Sequence, residues 1–330
     1  MPARAIRGAA ALLVAVALSA CSLNPALRVA DVLPKGGAPA LAAVPFYPQT
    51  EYQCGPAALA GVLGASGVPI QPEALVPQVY LPGRQGSLQL ELLGATRRAG
   101  RIPYVVERTP QALFAELDAG RPVLVLQNLL VRTVPKWHYA VLVGADGARN
   151  RVVLNSGTTR GLAVRAPTFL RTWDWGGRWG MVALRPGELP AEADPGRYLA
   201  AVADFEAVAG AGPAEEAYRA AAKRWPDDAR PLLALGNQAY ARGARDEAAG
   251  HYRRGLALDA NDPVLANNFA SVLGELGCRA EALRVLDATQ PRLAADSPWR
   301  TQLADTRAEV IARKAPARSP PACATHTVLP

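Results

Sequence analysis

The stretch Val44-Pro45-Phe46-Tyr47-Pro48-Gln49-Thr50-Glu51-Tyr52-Gln53-Cys54-Gly55-Pro56-Ala57-Ala58-Leu59 decides the reading of the chain, because it sets a thiol at a helix start. Gly55-Pro56 opens an Ala-rich apolar run. Pro in a first helical turn costs no hydrogen bond, since its missing amide proton has no intrahelical acceptor there. Gly67 ends the run, so a helix is predicted over 54–65 with Cys54 at its head. Free amides and the helix dipole at that end favour thiolate, the nucleophilic form of cysteine. The competing reading is a buried structural cysteine, a small hydrophobe like many others.

A nucleophile needs a base, and the chain offers His138, His251 and His326. His251 falls in a helical pattern beside Tyr252, and His326 lies in a Pro-, Ser- and Ala-rich tail. His138 opens Trp137-His-Tyr-Ala-Val-Leu-Val-Gly144, an alternating strand pattern, and is the base available to Cys54. Its second ring nitrogen needs an acceptor, and Asp146 and Asn155 are the candidates. Asp146-Gly147 is a hairpin turn signal, which puts Asp146 roughly 25 Å along the strand. Folding the hairpin about that turn returns Asn155, at the end of the next strand, to the neighbourhood of His138. An oxyanion formed at the thiol needs donors. The Cys54 amide is one, and Gln49 is preferred over Gln53 for the other, because Gln53 adjoins the nucleophile and is directed away from the groove.

Pro45, Gln49, Cys54-Gly55-Pro56-Ala57, the His138-Tyr139 strand opening and Asn155 at the end of the next strand together resemble the papain-like cysteine peptidases related to the double-glycine leader peptidases that mature bacteriocins. The resemblance covers about residues 41–186. It implies an α+β fold, peptide-bond hydrolysis and catalytic roles for Cys54, His138, Asn155 and Gln49, without a cofactor. That family commonly has Asp where this chain has Asn155, so the third member is neutral, as in papain. Its leader-cutting members are often fused to an exporter, which this chain lacks.

Other signals agree with an α+β domain. Ser87 can cap a helix ending at Arg98, and Thr109-Pro110 opens one ending at Gly120. Strand-length apolar runs occupy 103–107, 122–127, 139–143, 151–154 and 181–184. Helices first and antiparallel strands later give α+β. The Trp173, Trp175 and Trp179 cluster reads as closing the core and sheet edge. A Pro/Gly cluster over 186–196 marks a linker. Beyond it the chain aligns with itself at an offset of 34, pairing Leu235-Gly236 with Phe269-Ala270, Gly243 with Gly277 and Ala248 with Ala282. That period resembles tetratricopeptide repeats, with a shortened unit over 198–226, and implies an all-α module that binds protein.

At the other end, Arg4 and Arg7, an apolar stretch from Ala9 to Ala17, and Leu18-Ser19-Ala20-Cys21 form an export signal whose last four residues resemble the bacterial lipoprotein box. Cys21 is then lipidated, and Ser22 at the next position points to the outer membrane, facing the periplasm. The expected divisions are a signal over 1–20, a tether over 21–40, a peptidase domain over 41–188, repeats over 195–313 and an unordered tail over 314–330.

Composition excludes several classes. Half the residues are hydrophobic and 19% charged, so the chain folds, and its net charge of +8 is dispersed as single Arg without a phosphate-binding stripe. Nucleic acid is therefore not an expected partner. No close His/Cys spacing offers a metal site. Cys278 and Cys323 remain, and an exported chain could join them. The expected function is a lipid-anchored periplasmic cysteine peptidase acting on a peptide or protein substrate, with repeats that recruit a protein partner. Its rivals are a peptidase-like binding domain that no longer cuts and a repeat-based assembly adaptor.

Overall fold

The computed structural model describes residues 28–33, 37–49, 53–313 and 323. The signal segment, Cys21, His326 and the rest of the tail lie outside these residues. Contacts divide the chain into two compact units, one of residues 1–65, 69–88 and 105–182 and one of residues 66–68, 89–104 and 183–330.

The first unit is built around helix α2 (Cys54–Ala65), counted after a short α1 (Val29–Val32). Residues Gly55 to Leu63 of α2 are all buried, which is why its sequence is apolar on every side and not amphipathic. Each fully buried Leu of this helix, Leu59 and Leu63, contributes about 1.5–3 kcal/mol of burial. The loop before α2 lies tightly on it. A Cβ added at Gly64 would stand 2.6 Å from Pro45 Cγ, and one at Gly61 would stand 3.1 Å from the Pro45 carbonyl oxygen. The two glycines thus let the segment leading to Gln49 run alongside the helix that carries Cys54.

Against α2 lies an antiparallel ladder of β5 (Val123–Asn128), β6 (Trp137–Asp146) and β7 (Arg151–Ser156). The whole sheet also contains β4 (Ile102–Val105), β8 (Thr159–Arg165) and β9 (Gly180–Leu184), in the order β4-β9-β5-β6-β7-β8. All six residues of β5 are buried, as suits a central strand covered on both faces. Between β6 and β7 the register shifts at Leu142/Gly144. β1 (Gly37–Ala38) pairs with the far end of β6, Gly37 opposite Asp146, and a separate two-stranded ladder joins β2 (Tyr80–Leu81) to β3 (Gly86–Ser87). Val29 and Leu33 are buried as well, and the Val29 amide donates to Asn150 Oδ1 at 3.0 Å. Part of the expected tether is therefore integral to this unit. Its Pro/Gly/Ala composition hides a pairing only two residues long.

Three elements of this unit carry no clear sequence signal. They are α3 (Pro72–Val79), β8, and α6 (Ala166–Trp175), which follows α4 (Gln89–Arg98) and α5 (Pro110–Asp118) in the chain. β8 is exposed at nearly every position, so no apolar alternation marks it. Trp173 and Trp179 are buried, and Trp173 Nε1 donates to the Trp179 carbonyl at 2.9 Å.

The second unit is mainly helical. It contains the pairs α7 (Pro195–Ala209) and α8 (Ala211–Arg224), α9 (Arg230–Ala241) and α10 (Arg245–Leu258), and α11 (Pro263–Glu275) and α12 (Arg279–Thr289), followed by α13 (Trp299–Ala312). Gly236 sits where α9 meets α10, since a Cβ there would lie 2.3 Å from the Tyr252 ring. Cys278 and Cys323 are joined in a disulfide, both buried in the core of this helical stack. Helix α4 also belongs here, and Arg97 pairs with Asp204 of α7 at 2.6 Å. The Tyr104 hydroxyl donates to the Glu192 carbonyl at 3.3 Å. The division therefore departs from a single boundary at the Pro/Gly cluster, because a segment from the middle of the first half takes its partners from the second.

Candidate active site

Cys54 is the first residue of α2, and the Gln53 carbonyl accepts the Ala57 amide at 3.2 Å, which makes Gln53 the residue that opens the helix. The thiol is half-buried and free. Burial pushes it above its ordinary value, while the nearby backbone amides, Tyr139 foremost, pull in the other direction. The expected low-pKa thiolate is thus not the resting species. Desolvation exceeds the help from the helix start, because α2 is enclosed on all sides.

The Tyr139 amide brings the opening of β6 to the thiol, and His138 precedes Tyr139. His138 sits opposite Gln127 of β5, whose side-chain amide is held by Thr172 Oγ1 at 2.7 Å. The ring Nε2 of His138 lies 2.8 Å from Ser156 Oγ. Burial, and then the charge of Lys136, lower the imidazole to about 4, so the ring is neutral at neutral pH. The Gln49 amide donates to the Gly157 carbonyl at 3.1 Å, next to Ser156. Cys54, His138 and the Gln49 backbone therefore converge on one end of the β6–β7 hairpin.

Asn155 does not join them at the imidazole. Its register partner is Val141, an odd number of residues from His138, so strand alternation places Asn155 on the opposite face from the ring. Its Oδ1 accepts the Gly161 amide at 3.1 Å and so ties β7 to β8. Ser156, one residue on, falls on the face of His138 as a diagonal neighbour. Asp146 stays at the far turn, accepting from the Arg149 amide at 3.0 Å. His251 lies in the second unit, 3.7 Å from Glu247 Oε1.

Three features escaped sequence reasoning: Ser156, the Tyr139 amide, and the loop that runs into His138. Alternation along β7 was the available signal for Ser156. Asn128, buried at the end of β5, fixes the loop. Its Oδ1 accepts the amides of Leu130 and Lys136 at 3.2 and 2.9 Å, and its Nδ2 donates to the Val131 carbonyl at 3.2 Å. Arg132 pairs with Asp174 at 2.8 Å. The loop, which leads in the chain to His138, exposes Leu130 (49%), Val131 (51%), Val134 (62%) and Trp137 (56%).

No family model matches the sequence, and no curated protein matches it. Solved structures to which the chain is similar include a C39-like peptidase from Bacillus anthracis, at 16% identity and a TM-score of 0.38 over 45% of this chain and 98% of that one. Another is a double glycine motif protease from an AMS/PCAT transporter in complex with the leader peptide, at 22% identity and a TM-score of 0.33 over 42% of this chain and 90% of that one.

Proposed function

We propose that the protein is a cysteine peptidase. The observation that carries this reading is a free thiol at the start of a helix that packs on the strand whose opening holds His138, with the imidazole Nε2 held 2.8 Å from Ser156 Oγ. Cys54 attacks the substrate carbonyl, and its proton passes to His138 as the carbon–sulfur bond forms. The Gln49 side-chain amide and the Cys54 backbone amide hold the oxyanion of the tetrahedral intermediate. Collapse breaks the carbon–nitrogen bond, and the leaving amine takes the proton from His138. Water, deprotonated by the same ring, then hydrolyses the thioester. The exposed apolar loop leading to His138 suits a substrate with bulky apolar side chains near the scissile bond.

Because the free enzyme's base sets the acid limb of kcat/KM, that limb is expected near pH 4 and not near the 6.5 of an unperturbed imidazole. The base is neutral and usable above this value, and activity falls as pH drops through it. Incubating the full chain with a peptide library and mapping new termini by mass spectrometry tests the reading. Cleavage that persists in Cys54→Ser overturns it.

The protein is further proposed to be exported, acylated on Cys21 and held at the outer membrane, with residues 41–188 as the peptidase and the helix pairs of 195–313 as tetratricopeptide-type repeats recruiting a protein. The Cys278–Cys323 disulfide supports an oxidising compartment. In protein crosslinked within the native envelope, an unmodified Cys21 counts against the anchor, and the lack of any foreign peptide joined to 195–313 counts against recruitment.

A further inference from the structure

We infer that Ser156 is the positioning residue of His138, its hydroxyl fixing the orientation and tautomer of the imidazole through the 2.8 Å contact with Nε2. The inference rests on the cysteine-peptidase reading. A hydroxyl both accepts and donates, so it serves the ring without fixing a charge on it. With Nε2–H donating to Ser156 Oγ across 2.8 Å, the ring proton is held on Nε2 and the Nδ1 lone pair is left for the Cys54 proton. Ser156 is itself held from two sides. It pairs with Thr159 in the β7–β8 ladder, and the carbonyl of the next residue, Gly157, accepts the Gln49 amide at 3.1 Å.

The groups around the ring agree with this role. Gln127 on β5 and Ser156 on β7 are neutral, Cys54 on α2 is the titratable partner, and Lys136 in the preceding loop is the charge acting on the imidazole. Lys136 and burial both oppose imidazolium. The thiol therefore keeps its proton until a bound carbonyl draws the sulfur, at which point the proton moves from Sγ to Nδ1 while Nε2–H stays on Ser156. Such a site is quiet towards small electrophiles and active towards a positioned substrate.

Iodoacetamide tests this on the full chain, with the rate of Cys54 carbamidomethylation followed by peptide mass from pH 5 to 10. In the wild type the rate should rise in a single alkaline step, above the thiol's ordinary value of 9.0. Ser156→Asp should stabilise imidazolium and, through it, thiolate, raising the rate at pH 6 about tenfold or more. Ser156→Ala should lower peptide hydrolysis about tenfold to a hundredfold, with Ser156→Thr restoring most of it. An unchanged pH profile in Ser156→Asp, or full hydrolysis in Ser156→Ala, overturns the inference while the peptidase reading stands. Peptide hydrolysis that His138→Ala leaves untouched overturns the Cys54–His138 pairing and the inference with it. Should a variant fail to fold, ¹⁵N spectra of wild-type His138 decide the matter, because a ring proton on Nδ1 contradicts the assigned role and one on Nε2 supports it.

Discussion

Exchange of His138 for Ala lowers kcat/KM for peptide hydrolysis by about 10⁴-fold, equivalent to about 5.4 kcal/mol of transition-state stabilisation. The loss is expected to be this large because the resting thiol is protonated. Burial raises Cys54, and no pre-formed ion pair supplies a thiolate when the base is removed. An enzyme that stores thiolate–imidazolium would retain some reactivity through the remaining thiolate fraction. His251→Ala leaves the rate unchanged, since that ring lies in the other unit beside Glu247. Steady-state kinetics of the two variants against one peptide check the contrast, and equal rates for His138→Ala and wild type exclude the assignment.

Removal of the disulfide in a Cys278→Ser/Cys323→Ser variant costs about 4 kcal/mol of stability. The closed loop spans 45 residues, and the unfolded chain regains the entropy that the crosslink had removed. Both sulfurs lie in the helical core, so the variant also buries two hydroxyls, which adds to the loss. Urea unfolding of the oxidised wild type and the double variant gives the difference directly. Equal midpoints would mean that the crosslink contributes nothing to the native state. A practical corollary concerns assays, because the reductant commonly added to protect a thiol such as Cys54 acts against this bond.

Much of the first unit is legible in the sequence, and its failures have local causes. The helix over 54–65 follows from Gly55-Pro56 and Gly67, and the β6–β7 hairpin from alternation and the Asp146-Gly147 turn. The third polar residue at the imidazole is misplaced by one position. A turn signal gives the direction of a returning strand but not its register, and the irregularity at Leu142/Gly144 shifts the pairing within the hairpin. In a strand, one residue is the difference between the two faces of the sheet. The thiol's environment is less legible, because the helix start is local and readable, whereas the enclosure of α2 depends on strands about 70 to 100 residues later. Helix α4 is foreseen with its ends nearly right, but the unit it joins is not, because its ion pair with α7 links residues 107 apart.

The placement of residues 66–68 and 89–104 with the helical unit means that the backbone passes from one unit to the other repeatedly along its length. No single cut in the gene releases either unit intact. Truncation at the Pro/Gly cluster strips α4 of Asp204, and truncation before it leaves the helices without the strand segment that carries Tyr104. Calorimetry should therefore record one melting transition and not two, and limited proteolysis at 186–196 should nick the protein without separating it.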